Sequence, residues 1–189
     1  MMPERPALAR TPAEARLRLE LTECPVCFER ETRWRLVSTA TVAGTALERY
    51  AGSCGRCGAE READFRAPGD ASTDAGGTEP ATRFGAGRPS ELLDAAEWLE
   101  AATLTEAAAD AGPAEPAAER RARLEYARDA VVEAMRFLPP DGDRVPEADL
   151  FSPLGRQVAA ADARRLTRDW MRTMRDGYEV LLAEIDDRR

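Results

Sequence analysis

Alternating apolar and polar positions predict a small antiparallel β module in the first third of the chain. Leu17, Leu19 and Leu21 alternate with charged residues, which is the period of two expected of a strand with one apolar face. Further candidate strands run from Trp34 to Val42 before a turn at Gly44, from Leu47 to Ser53, and from Ala59 to Phe65.

After residue 89 the spacing of apolar residues becomes helical. Ser90 is the predicted N-cap of a first helix, Pro116 marks the start of a second, and Asp162 is the predicted cap of a long final helix. Ser152 and Pro153 indicate a further short helix. The predicted apolar stripes are Leu92, Ala96, Leu99 and Thr103; Leu124, Ala127, Val131, Met135 and Leu138; and Leu166, Trp170, Met174, Tyr178, Leu181 and Ile185.

These two patterns predict an α+β chain, in which a small antiparallel β module precedes a bundle of three or four helices. Between them, residues 67–82 contain no large apolar side chain, which is typical of a linker. The predicted organisation is a loose N-terminus over residues 1–15, the β module over 16–66, a flexible linker over 67–88 and the helical domain over 89–189.

All four cysteines fall in two Cys-x-x-Cys pairs, Cys24 with Cys27 and Cys54 with Cys57. Two such turns supply the four thiolates of one tetrahedral Zn²⁺ site. A site closed by four sulfurs keeps no open position for water, so the predicted zinc is structural. It would supply folding energy to a β module too small to bury a sufficient core.

With these pairs and flanking strands, residues 16–66 resemble the zinc-ribbon class. Gly58 follows the second pair, where a positive φ is often required, whereas Phe28 holds the matching place after the first pair. The geometry of the first turn is therefore open. Iron in a rubredoxin-like site, two disulfides and a thiol redox pair remain as alternatives to zinc.

Several phrases in the second half resemble uncharacterised double-CxxC proteins of GC-rich bacteria, a resemblance that implies no known activity. The phrases are Pro89 to Trp98, Phe137 to Pro140, Val145 to Glu147 and Leu150 to Ser152.

Composition and charge exclude several function classes. The 27 basic residues are all Arg, and the chain has no His, so His-dependent triads, Lys Schiff bases and the Walker A lysine are absent. The net charge is −8, with −9 in residues 67–189 and +1 in residues 1–66. This balance disfavours a default nucleic-acid binder and suits a basic protein partner for the helical half.

Three tryptophans are candidates for contact with a partner or for the core. Trp34, between Arg33 and Arg35, is similar to an aromatic platform for single-stranded nucleic acid, but its alternation favours the module's core. Trp98 lies one residue off its helical stripe and is the candidate partner contact. Trp170 lies on a stripe and is expected in the core.

The sequence predicts a cytoplasmic protein with no membrane segment, because no stretch approaches about 20 apolar residues and the first residues lack a signal-type apolar region. The predicted function is a non-catalytic protein-interaction factor, namely an adaptor, a regulatory subunit or an immunity-type inhibitor. The chain is not expected to be an enzyme. Nucleic-acid or transcription-associated binding through the ribbon, and rubredoxin-like electron transfer, are the alternatives.

Overall fold

The computed structural model describes residues 5–68, 80–107 and 115–187, and within these ranges the fold is mixed α+β with one three-stranded antiparallel sheet and five α-helices. The helices are α1 Pro12–Leu21, α2 Ala95–Ala107, α3 Ala117–Met135, α4 Pro153–Ala161 and α5 Arg168–Asp186. The strands are β1 Arg35–Val42, β2 Thr45–Ser53 and β3 Glu60–Arg66. Short 3-10 turns cover Glu147–Asp149 and Ala163–Leu166.

The chain divides into two compact units, which we call the cysteine unit and the helical unit. The cysteine unit comprises Met1–Asp74 and Ser90–Leu92, and the helical unit comprises Ala75–Pro89 and Leu93–Arg189. Of the predicted linker, residues 69–79 lie outside the described residues and residues 80–88 belong to the helical unit. No helix in the described ranges is long and apolar enough to cross a bilayer.

The strand predicted over residues 17–21 is wrong, because this segment is helix α1. Thr11 caps the helix by accepting a hydrogen bond from the Glu14 N–H at 3.2 Å, and Pro12 occupies its first turn. Ala15, Leu17 and Leu19 are all buried. Because Leu17 and Leu19 lie on different sides of a helix, α1 is covered on more than one side and shows no single apolar stripe.

The sheet has the order β1–β2–β3, and the three strands after α1 confirm the predicted antiparallel module. Ala43 and Gly44 form the two-residue turn between β1 and β2, with φ values of 48° and 77°. Beyond β3, the Ala9 N–H donates to the Arg66 carbonyl and the Arg66 N–H donates to the Ala7 carbonyl, both at 2.9 Å. The outer edge of β3 is thus partly covered, whereas β1 forms the other edge of the sheet.

The helical unit has a large apolar core around aromatic side chains. Phe84 and Trp98 are both fully buried, with ring centroids 4.8 Å apart, and Tyr126 lies 5.0 Å from Phe84. Arg136 donates to the carbonyls of Gly87 and Pro80, which holds residues 80–87 beside α3. Trp170 is only half-buried, with the Arg165 guanidinium over its ring at 5.5 Å, so its predicted core position is not observed.

The N-cap residues of the helices in this unit differ in part from the predicted ones. Asp94, not Ser90, caps α2, by accepting from the Ala96 and Glu97 N–H groups at 3.1 and 3.2 Å. Thr167, not Asp162, caps α5, while Asp162 caps the short turn before it. Ser152 caps α4 as predicted, accepting from the Gly155 N–H at 2.8 Å. The predicted α3 stripe is confirmed, since all five of its residues are buried.

Candidate metal centre

The four cysteines lie on two turns with the same backbone hydrogen bonds. We call Cys24–Phe28 the first knuckle and Cys54–Gly58 the second knuckle. In the first, the Phe28 N–H donates to the Cys24 carbonyl at 2.9 Å, and in the second the Gly58 N–H donates to the Cys54 carbonyl at 3.0 Å. The Cys24 N–H donates to the Glu29 backbone carbonyl at 2.8 Å, and the Cys54 N–H donates to the Ala59 carbonyl at 3.0 Å. The repeated pattern holds each pair of sulfurs on one side of its turn.

The first knuckle takes this conformation although it lacks a glycine. Phe28 has a φ of 61° and Gly58 a φ of 72°, so both residues occupy the left-handed region. For a residue with a Cβ this region costs roughly 1–2 kcal/mol. The open question about the first turn is thus answered by a strained phenylalanine, whose side chain is 73% exposed.

The sulfurs of the two knuckles converge on one point. All four Sγ atoms lie within 4.8 Å of one another. The Sγ atoms of Cys24 and Cys57 are 3.7 Å apart, and those of Cys27 and Cys54 are 3.5 Å apart. A tetrahedron with metal–sulfur bonds of about 2.3 Å has edges of about 3.8 Å, so the donor set fits a single ion. All four cysteines are free, and the distances are far longer than the ~2.05 Å of a disulfide.

The backbone favours thiolates at two of the four positions. The N–H groups of Cys57 and Arg56 hold the pKa of the Cys54 thiol at about 6, and the Val26 N–H lowers the pKa of Cys24. At Cys27 the Glu29 N–H lowers the pKa, but burial and the neighbouring sulfurs outweigh it and raise the pKa to about 12. Four thiolates this close repel one another, and a bound dication removes that repulsion.

Arg61 joins the first knuckle to the sheet, and sequence reasoning gave it no such role. Its guanidinium donates to the Thr22 and Glu23 carbonyls at 2.9 and 3.1 Å and to Thr32 Oγ1 at 2.7 Å. It also lies 4.8 Å from the centroid of the Trp34 ring. The alternation of the predicted strand already placed Arg61 on the same face as Ala63 and Phe65. A charged residue on an apolar face was the available indication that it has a structural role.

The structure brings Cys24, Cys27, Cys54 and Cys57 together and buries the other predicted site residue, Trp98. Trp98, the candidate partner contact, has no exposed area, because Phe84 packs against its indole ring. Its expected role as a partner contact is therefore corrected to a role in the core. Trp34 is half-buried, so its predicted position in the core of the module, like that of Trp170, is not observed.

Comparison of the chain with family models, curated proteins and solved structures finds no match.

Proposed function

We propose that the chain is a non-catalytic protein-interaction factor whose cysteine unit is a zinc ribbon held by one structural Zn²⁺. Zinc is the usual ion of closed four-cysteine sites, and such a site offers no position for a reacting water. Cys24, Cys27, Cys54 and Cys57 would hold it. The proposal includes a reducing compartment such as the cytoplasm, because the four thiols must stay reduced to bind metal.

The observation that carries the interaction role is the exposure of large apolar side chains in the cysteine unit. Five of the eight exposed large apolar residues in the described ranges belong to it. They are Val26 (66% exposed), Phe28 (73%), Leu36 (48%), Val37 (45%) and Val42 (56%). All five lie within the first knuckle and β1. Exposed large apolar side chains concentrated in one unit favour an interaction role for that unit.

Phe28 is the strongest single indication. A strained backbone supports a bulky side chain in solvent, at a position where glycine would be unstrained. Val26, on the same turn, adds a second exposed apolar group. An exposed aromatic beside an aliphatic side chain is the kind of anchor that dominates binding energy at protein interfaces.

The test is capture of a partner from a lysate of the source organism, using the full zinc-loaded chain as bait. The Val26→Ser/Phe28→Ser double variant removes the exposed pair, and Val180→Ser, which is 60% exposed in the helical unit, is the matched control. We expect a partner that binds the wild type and the control, saturates when purified and titrated, and is lost by the double variant.

Two results would contradict this function. Failure to obtain any partner that saturates with purified protein would argue against an interaction factor. Equal binding by the double variant would show that the first knuckle is not the contact. The same titration with a labelled oligonucleotide tests the nucleic-acid alternative, in which affinity falls steeply with salt.

A further inference from the structure

We propose that the outer edge of β1 and the groove beside it bind an extended acidic peptide as a fourth strand of the sheet. This inference rests on the proposed interaction function and names a surface and a partner chemistry for it. Addition of a strand to an open sheet edge is a general mode of peptide recognition, in which main-chain hydrogen bonds give affinity and side-chain contacts give specificity.

The β1 edge is open. β1 pairs with β2 only, and no described residue pairs with its outer side. All eight of its residues are exposed. In an antiparallel strand every second residue directs its N–H and C=O away from its one neighbour, so β1 presents unpaired donors and acceptors to solvent.

This edge lacks most of the features that usually prevent strand addition. Residues 36–42 contain no charged residue and no proline, which are the common protections of edge strands. One irregularity interrupts the pairing of β1 with β2 between Leu36 and Ser38. The regular stretch from Ser38 to Val42 therefore offers five residues to an added strand.

A basic groove of about 700 Å³ adjoins the first residues of β1. Its charged lining residues are Arg16, Arg33, Arg35 and Glu20, and Arg35 belongs to both the groove and the edge. Arg33 and Arg35 are exposed and have no acidic partner among the described residues. Arg16 Nε lies 4.0 Å from Glu20 Oε1, and both side chains are mostly exposed.

The groove is thus locally cationic in a chain of net charge −8, and guanidinium groups bind carboxylates through paired hydrogen bonds. A peptide on β1 would place acidic side chains at Arg33 and Arg35 when it extends past Leu36. The β1 edge of a second copy offers no such match, because residues 33–42 contain no acid.

Nucleic acid fits this surface less well. The Arg61 guanidinium lies 4.8 Å from the Trp34 ring centroid, on one face of the ring, and the ring is half-buried, which restricts stacking with a base. Nucleic-acid recognition also makes no use of an open strand edge. A peptide uses both the backbone groups of β1 and the arginines.

The test is fluorescence polarisation on the full zinc-loaded chain with labelled ten-residue peptides. The probes have alternating Val and Thr followed or preceded by three acidic residues, so that both strand directions are covered. A peptide with Gln in place of the acids and an oligothymidylate of ten nucleotides are the comparison ligands. We expect saturable binding of one acidic peptide and about tenfold weaker binding of its Gln counterpart.

Two double variants separate the groove from overall charge. Arg33→Ser/Arg35→Ser is expected to weaken acidic-peptide binding on the order of tenfold. Arg30→Ser/Arg172→Ser makes the same charge change at exposed positions outside the groove and is expected to change affinity less than about twofold. Amide hydrogen exchange should slow at alternate residues of β1 when the peptide binds.

Four outcomes would overturn the inference: no binding of either acidic peptide, equal binding of the Gln peptide, tighter binding of oligothymidylate, or protection of β1 by self-association without peptide. Partner capture through Val26 and Phe28 can succeed while the peptide test fails. In that case the interaction function stands and only the β1 site is wrong. If the Val26→Ser/Phe28→Ser variant still captures the partner while the acidic peptide binds, the role of the first knuckle is wrong and the β1 site stands.

Discussion

All eight residues of β1 are exposed, whereas every residue from Asp129 to Leu138 in and just after α3 is buried. The helical unit encloses large side chains such as Trp98, Phe84 and Met171 with almost no exposed area. The cysteine unit buries few large apolar side chains, namely Leu8, Leu17, Leu19, Phe65 and Leu92. The helical unit is therefore stabilised by apolar packing, and the cysteine unit needs another source of stability.

Each unit also buries a charged side chain, and the two side chains connect different parts of the fold. In the helical unit, Asp94 is fully buried and accepts from the Ser152 N–H at 2.8 Å, which connects the start of α4 to the start of α2. In the cysteine unit, Arg61 connects the first knuckle to β3. Asp94 therefore holds two helix starts together, and Arg61 holds the first knuckle against the sheet.

The largest expected effect is that of removing the proposed zinc. Chelation under reducing conditions, or Cys54→Ser, should unfold the sheet, because binding of a structural zinc contributes on the order of 10 kcal/mol to such a module. The helical unit should keep its fold, since it has its own core. Hydrogen exchange should show lost protection in β1–β3 and retained protection in α3 and α5.

Ser53→Ala is the matched control, because it changes the neighbouring residue and keeps all four sulfurs. Elemental mass spectrometry of the unsupplemented protein should find one zinc per chain without visible absorption. Iron with visible bands would instead support electron transfer. Persistent protection of β2 without metal would contradict the proposed difference between the units.

A smaller effect is expected from Gly155→Ala in the helical unit. A Cβ at Gly155 would overlap Asp94 Oδ2 and lie 3.0 Å from its Cγ, so the buried carboxylate must move and its hydrogen bonds weaken. We expect a loss of roughly 2–4 kcal/mol. Urea unfolding followed by far-UV circular dichroism, which reports mainly on α2–α5, measures it.

Gly177→Ala is the control within α5, because nothing lies within 4 Å of the added Cβ. It should stabilise the helix by about 0.5–1 kcal/mol, since alanine is the better helix former. If Gly155→Ala were equally stabilising, the tight contact at Asp94 would be disproved, and with it the role of that carboxylate in joining the two helices.

The smallest effect distinguishes the two knuckles. Phe28→Gly relieves a positive φ at a mostly exposed side chain and should stabilise the cysteine unit by about 0.5–1 kcal/mol. Gly58→Ala places a Cβ at the same backbone conformation and should destabilise it by about 1 kcal/mol. Urea dependence of amide exchange in β2 measures both, and the same sign for both variants would contradict the strain at Phe28.

Local patterns were sufficient for several elements. β2, β3 and α3 lie close to their predicted positions, because apolar spacing and the turn residues that bound these elements are local features of the sequence. Helix α1 was missed since it is buried on more than one side. Its capping residues Thr11 and Glu14, with Pro12 between them, were a signal in the sequence that the leucine alternation obscured.

The sequence by itself determined the two cysteine pairs that form one cluster and the order of the three strands before helices α2–α5, because both depend on spacing along the chain. Only the tertiary structure decided that Trp98 is buried, that Asp94 rather than Ser90 caps α2, and that β1 is the open edge of the sheet. Trp98 is buried by packing against Phe84, the Asp94 side chain is also held by the distant Ser152 N–H, and the open edge follows from the strand order. Residue spacing within one segment does not report such contacts.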